Sequence, residues 1–220
     1  MNLSTIWYTV QDLFQQHSPR RRELKLYMFN IYLQAVDTDL LMQLLRMKFN
    51  PSSDVSDNDE QLDMLQKFLK SESVVSGSAH TLPAGYVRHV DDAAYTTGDV
   101  KVNIINMEEY ADRKGNSIVA PSATYPVAYI TNGTIVTDPT TIGTYTLWYY
   151  GANTGNDKPS LAITSDDSVN VYDSVESVEL VWPEYMYPRI VMLMLKYLGI
   201  SINEPTVIQE KMKEIADATT

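Results

Sequence analysis

The chain has 220 residues, 44% of them hydrophobic, enough for one large domain or two small ones, each with its own core. It has no cysteine, which removes disulfides, thiolate metal sites and a cysteine nucleophile from consideration. Net charge is −11, and residues 73 to 181 hold 13 acidic against 5 basic side chains, a surface that repels phosphate backbones and argues against general nucleic-acid binding.

The opening "MNLSTIWYTVQDLF" has no positive region ahead of its apolar residues, so no secretory signal is expected and the reading is a cytoplasm-like compartment. Leu3, Ile6, Trp7, Val10, Leu13 and Phe14 lie at helical spacing, and Ser18-Pro19 closes this helix and opens the next. In the second helix Leu24, Met28, Ile31, Ala35, Thr38, Met42, Leu45 and Phe49 step by four and three, a seam for lengthwise packing that runs to about Asn50. On that reading Arg20, Arg21 and Arg22 fill the helix's first turn, where each positive side chain opposes the macrodipole by about 0.3–1 kcal/mol. A solvated charge run accounts for them, as does an ionic contact with an acidic neighbouring subunit or with nucleic acid in a channel. After the loop "NPSSDVSDNDEQ", Asp57 or Asn58 is placed to cap a third helix carrying Leu62, Leu65, Phe68 and Leu69.

Beyond "SVVSGSAHTLP" the period changes to two. Strands are expected at 86–95, 100–105, 127–131, 134–137, 145–150, 161–164, 169–172 and 178–181, with a short helix at 107–114 closed by Gly115. The clearest of these is "YPVAYITNGTIVTDP": Asn132-Gly133 supplies the positive φ angles of a two-residue type I′ turn, setting Thr131 opposite Thr134, Ile130 opposite Ile135 and Tyr129 opposite Val136. Helical spacing returns after Trp182-Pro183 with Ile190, Val191, Leu193, Met194, Leu195 and Leu198, ended by Gly199. Asn203 then opens a last helix with Ile208, Met212 and Ile215 inward. No segment is long and apolar enough to span a bilayer. The expected class is α+β: a helical bundle of residues 1–72 and 183–220, with a mostly antiparallel β domain inserted at 73–182.

Chemistry-bearing motifs are sparse. His17, His80 and His89 sit in different elements without ligand-spaced partners, and "DVSDNDEQLD" lacks the glycine and the final glutamate of a calcium loop. Phosphate-binding glycine loops, G-x-S-x-G and H-E-x-x-H are missing, so no enzyme, cofactor or metal is expected. The sequon at Asn132 is explained by its turn. The chain carries 15 tyrosines, many in "YTLWYYG" and "WPEYMYP". Together with Arg20, Arg21 and Arg22, these stretches make Trp148, Tyr149, Tyr150, Trp182, Tyr185 and Tyr187 the candidate interface residues, since Tyr and Trp are favoured where a surface becomes an interface.

Three stretches, "TLPAGYVRHVDDAAY", "APSATYPVAYITNGTIVTDPTTIGTYTLWYYGA" and "WPEYMYPRIVMLMLKYLGI", together with the opening helix-S-P-helix pair, resemble in order and spacing the head-to-tail connector (adaptor or ring) proteins of tailed bacteriophages, most of all those of crAss-like phages. The resemblance implies a helical bundle with an inserted β domain, a ring of twelve copies beneath the portal, and contacts with the portal protein, neighbouring connector rings and tail proteins. It implies a virion location at the portal vertex or tail collar, after synthesis in the host cytoplasm, with non-specific proximity to DNA in the channel, no membrane and no catalysis. Related chains tend to carry acidic or polar residues after the Ser/Thr-Pro step, where this one has Arg20 to Arg22. The alternative is a β-rich binding module, for a glycan or receptor, on a helical base.

Overall fold

The computed structural model describes residues 3–17, 23–49, 59–77, 79–90, 93–166, 169–200 and 205–218. Three helices open the chain: α1 (Leu3–His17), α2 (Leu26–Lys48) and α3 (Asp59–Gln66). Strands β1 (Leu69–Val75), β2 (His80–Thr81), β3 (Tyr86–His89), β4 (Ala93–Thr96) and β5 (Lys101–Ile105) follow. After helix α4 (Met107–Lys114) come β6 (Val127–Thr131), β7 (Thr134–Asp138) and β8 (Thr144–Gly151). A small hairpin, β9 (Ile163–Asp166) and β10 (Val169–Tyr172), precedes α5 (Tyr187–Tyr197) and α6 (Pro205–Ala218). The class is α+β, with helices from both chain ends and a mostly antiparallel sheet between them.

The chain divides into two units, one of residues 1–67 with 153–220 and one of residues 68–152. In the helical unit α1 packs on α5 and α6, α5 also on α2 and α6, and α3 on α2. The spacing read in α1 is the spacing that is buried, through Leu3, Ile6, Trp7, Val10 and Leu13. Trp7 meets Phe29 of α2 edge to face, with ring centroids 5.0 Å apart. The seam expected for α2 is buried only at Leu24 and Leu45. Phe29, Leu33, Val36, Leu40 and Leu44 are inside, whereas Ile31 is 58% exposed and Met42 is exposed as well. The helix is apolar on nearly every side, so more than one stripe satisfies the helical period and only the neighbouring helices select between them.

Helix α2 also begins later than Ser18-Pro19 suggests. Residues 23–25 are not helical and Lys25 is the extended N-cap, so the first turn is Leu26 to Phe29 and the dipole argument for Arg20, Arg21 and Arg22 does not apply. Helix α5 ends as its glycine predicts. Gly199 takes φ +81°, its N–H donates to the Lys196 carbonyl, and the Ile200 N–H donates to the Leu195 carbonyl at 2.8 Å, the paired bonds of a Schellman cap.

Residues 153–182 belong by contact with the helices rather than with the large sheet. Single polar side chains hold them there. The Asn30 amide donates to the Leu161 carbonyl at 3.0 Å and its oxygen accepts from the Leu161 N–H at 2.9 Å, so one side chain replaces a strand partner. Glu179 accepts from the Leu3 N–H at 3.1 Å and from the Tyr172 hydroxyl, placing a carboxylate at the positive end of α1. Burial, followed by the bond to Glu179, pushes the Tyr172 phenol up to about 12. The expected strand at 178–181 is reduced to one bridge between Ser160 and Val178. Strand-like composition misled here because it does not say which element supplies the partner.

These contacts set the expected outcome of a deletion. Residues 1–67 joined to 153–220 by a flexible linker should retain a helical circular-dichroism spectrum and a cooperative melt, because Asn30, Asp37 and Leu3 keep their partners. Joining residue 72 to 183 removes those partners and should melt lower. A 1–67/153–220 protein without helix would show that the units share one core.

In the β unit the strand order is β1-β8-β4-β5-β6-β7-β2, with β3 also on β8. Every pairing is antiparallel except β5 with β6, which α4 connects as a crossover. The Asn132-Gly133 hairpin has the expected register, with φ of 49° and 73° at the turn. Strand β1 was unforeseen. Its first residue, Leu69, continues the apolar spacing of α3, but α3 stops at Gln66 and Leu69 pairs with Tyr150 of β8. The core gathers Val74, Ala94, Val102, Ile104, Ala128, Ile135, Tyr145, Leu147 and Tyr149. A buried polar pair beside it is self-satisfied, Thr137 Oγ1 lying 2.8 Å from Tyr145 Oη.

Candidate functional site

The aromatic candidates separate by strand parity and helix face. Tyr149 and Tyr150 at the end of β8 are buried, Trp182 and Tyr187 are buried in the helical unit, and only Trp148 and Tyr185 reach the surface. Four of the six are therefore buried within the chain. Strand β8 alternates from Tyr145 to Tyr149 and also buries Tyr150 and Gly151 at its end. Arg20, Arg21 and Arg22 lie outside the described residues, as do Asp57, Asn58 and Asn203.

Trp182 has a specific task. Its indole N–H donates to Asp37 Oδ1 at 2.7 Å, and the Asn153 amide donates to Asp37 Oδ2 at 3.3 Å. Asp37 is only 4% exposed on α2. Burial raises its pKa from the ordinary aspartate value, and the two hydrogen bonds pull the other way. The triad joins the middle of α2 to both ends of the 153–182 segment. Asp37 is thus a buried acceptor held by two donors from the 153–182 segment.

Surface apolar residues missed by the sequence reading collect in two places. On α2, Ile31 and Met42 of the expected seam are exposed, and so is Tyr27 beside them. In the connection between α4 and β6, Ile118, Val119 and Tyr125 are exposed, in a loop shaped by the Asn116 side chain accepting from the Ile118 N–H and by reciprocal bonds between Ser122 and Tyr125. No periodicity marks a loop tip, so only its apolar content could have pointed to it.

The β unit also contains a cleft of about 630 Å³, whose polar lining is His89, Lys101, Asn103, Asn106, Glu109 and Arg113. Ile104, Ile105 and Ile130 supply its apolar wall. Local structure explains how α4 is placed beside it. Asn106 caps α4 by accepting from the Glu109 N–H at 2.7 Å, and Tyr110 stacks on Tyr129 at 4.3 Å while its hydroxyl donates to Asp138. Arg113 pairs with Glu109 at 2.6 Å, one helical turn away. The Tyr86 hydroxyl lies 3.0 Å from His89 Nδ1 and accepts from the His89 N–H, which fixes the ring's orientation. Burial raises the Tyr86 pKa above the ordinary phenol value.

Among the described residues, no helix is long and apolar enough to cross a membrane. No protein-family model and no curated protein sequence matches the chain.

Proposed function

We propose that the chain is a virion structural protein, a ring-forming head-to-tail connector that sits beneath the portal, helps to form the DNA channel and attaches the tail. The observation that carries this reading is the exposed apolar stripe Tyr27, Ile31 and Met42 on α2. A helix that buries one apolar face and leaves a second uncovered suits a subunit whose neighbours complete the packing. The exposed loop residues Ile118, Val119 and Tyr125 supply a second surface for another neighbour. The helical unit made from both chain ends, with a β unit inserted, agrees with the architecture that the resemblance to connector proteins implies. The partners on this reading are further copies of the chain in a ring of twelve, the portal protein, adjoining rings and tail proteins.

Light scattering with electron microscopy of the same sample tests it. The expected result is rings with a central hole, either from the chain alone or after addition of portal-bearing particles. A monomer that forms no ring and does not co-sediment with such particles overturns the reading. The alternative, a binding module on a helical base, is favoured by one observation, the polar cleft of the β unit.

A further inference from the structure

Strand register assembles a chemically coherent surface next to the cleft. Across β1, β8, β4 and β5, Ser73 stands opposite Thr146, Thr146 opposite Tyr95, and Tyr95 opposite Lys101. The neighbouring row carries Ser71 opposite Trp148, and Asn103 in β5. Val74, Ala94, Val102, Tyr145 and Leu147, which alternate with these residues, are buried, so the two rows form the outward face of the sheet. Tyr95 is 54% exposed and Trp148 51%. Two aromatic side chains thus lie on a rigid sheet among hydroxyls, and Lys101 and Asn103 continue from that face into the lining of the cleft.

We infer that this face and cleft bind an acidic saccharide, a chain of pyranose rings bearing carboxylates. The reading concerns the β unit alone, stands whether or not the chain forms rings, and names the ligand class for the binding-module alternative. Each part of the ligand has a counterpart. The CH-rich face of a pyranose packs on Trp148 and Tyr95, which offer large apolar surfaces with little rotamer entropy to lose. Sugar hydroxyls meet Ser71, Ser73, Thr146 and the Asn103 amide. The carboxylate meets the Lys101 ammonium and, in the cleft, the Arg113 guanidinium, whose pairing with Glu109 orients it and leaves further N–H donors.

Two competing ligands fit less well. A neutral sugar gives Lys101 no anionic partner. A nucleic-acid strand also stacks on aromatics, but it needs a run of cations along its phosphates. This face and cleft offer Lys101 and the Arg113–Glu109 pair, enough for one carboxylate but not for successive phosphates.

The three tryptophans make the test direct. Trp7 and Trp182 are buried, so the component of tryptophan fluorescence that acrylamide quenches belongs to Trp148. The full chain is titrated with a galacturonic acid trimer, a neutral galactose trimer and a single-stranded oligonucleotide. The acidic trimer is expected to shield Trp148 and the neutral trimer to do so at least tenfold more weakly, since one charge-assisted contact is worth about that factor. Lys101→Gln should weaken the acidic trimer by about tenfold and leave neutral-sugar shielding unchanged. Tyr95→Ala, at an exposed position, should weaken both. Equal shielding by the two trimers, preference for the oligonucleotide, or no shielding by any of them overturns the inference. None of these outcomes bears on ring formation.

Discussion

Leu195→Asp should remove folded protein altogether. Leu195 is fully buried in α5, the helix that packs against α1, α2 and α6, and its carbonyl also closes the Schellman cap through Ile200. An aspartate there has no cationic partner among the surrounding apolar residues Ile190, Val191 and Met194 of the same helix. An isolated charge in such a site costs several kcal/mol, comparable with the whole stability of a domain, about 5–15 kcal/mol. The expected result is insoluble expression, or soluble chains without a cooperative melt. Leu195→Met changes shape at nearly constant volume and should cost under about 1.5 kcal/mol. Normal yield and an unchanged melting temperature for the aspartate variant would mean that α5 is not the centre of the helical unit.

Asp37 should give the second large effect, with a sign that depends on the replacement. Asp37→Leu removes the acceptor that the buried Trp182 N–H uses, a loss of about 1–3 kcal/mol, and also releases Asn153. Asp37→Asn keeps an oxygen for Trp182 and removes the buried charge, but turns an N–H donor toward Asn153, whose amide must reverse to offer its oxygen; with that reversal it should match the wild type at neutral pH. The pH dependence follows from burial, which raises the aspartate's pKa in the folded state. A group with a raised folded pKa stabilises most below its unfolded value, and that contribution is lost as pH rises through the folded value. The stability of Asp37→Asn relative to the wild type should therefore increase as pH rises through that range, then level off. Chemical denaturation of both proteins across mildly acidic to neutral pH measures it. A flat difference would show that Asp37 titrates as in the unfolded chain, and stability of Asp37→Leu equal to the wild type would show that the Trp182 bond contributes nothing.

Local chemistry made parts of this protein legible in advance. Asn132-Gly133 specified its turn and, through the two-residue loop, the register of β6 with β7, because positive φ at both positions leaves one tight geometry. Gly199 specified the end of α5 in the same way. The sides of α1 and α6 that face inward followed from one stripe each, since these helices have a polar side to contrast with it, whereas α5 is nearly all apolar and only its burial was legible. The α+β class followed from the change of period between the chain ends and the middle.

What depended on partners distant in sequence was decided only by the tertiary structure. Helix α2 offers several apolar stripes, and its neighbours buried Phe29, Leu33 and Leu40 while leaving Ile31 and Met42 outside. Residues 153–182 have strand-like composition but bond to Asn30, Asp37 and Leu3, contacts that no local pattern encodes. Trp148 and Tyr149 are adjacent and chemically similar, yet one faces solvent and the other the core, because pleating sends successive side chains to opposite faces and pairing decides which face is covered. Likewise Tyr95, Lys101 and Trp148 are scattered along the chain, and only the pairing of β4, β5 and β8 brings them onto one surface. Propensity and turn chemistry act over a few residues. The choice of covered face and of cross-strand neighbours is a property of the packed whole.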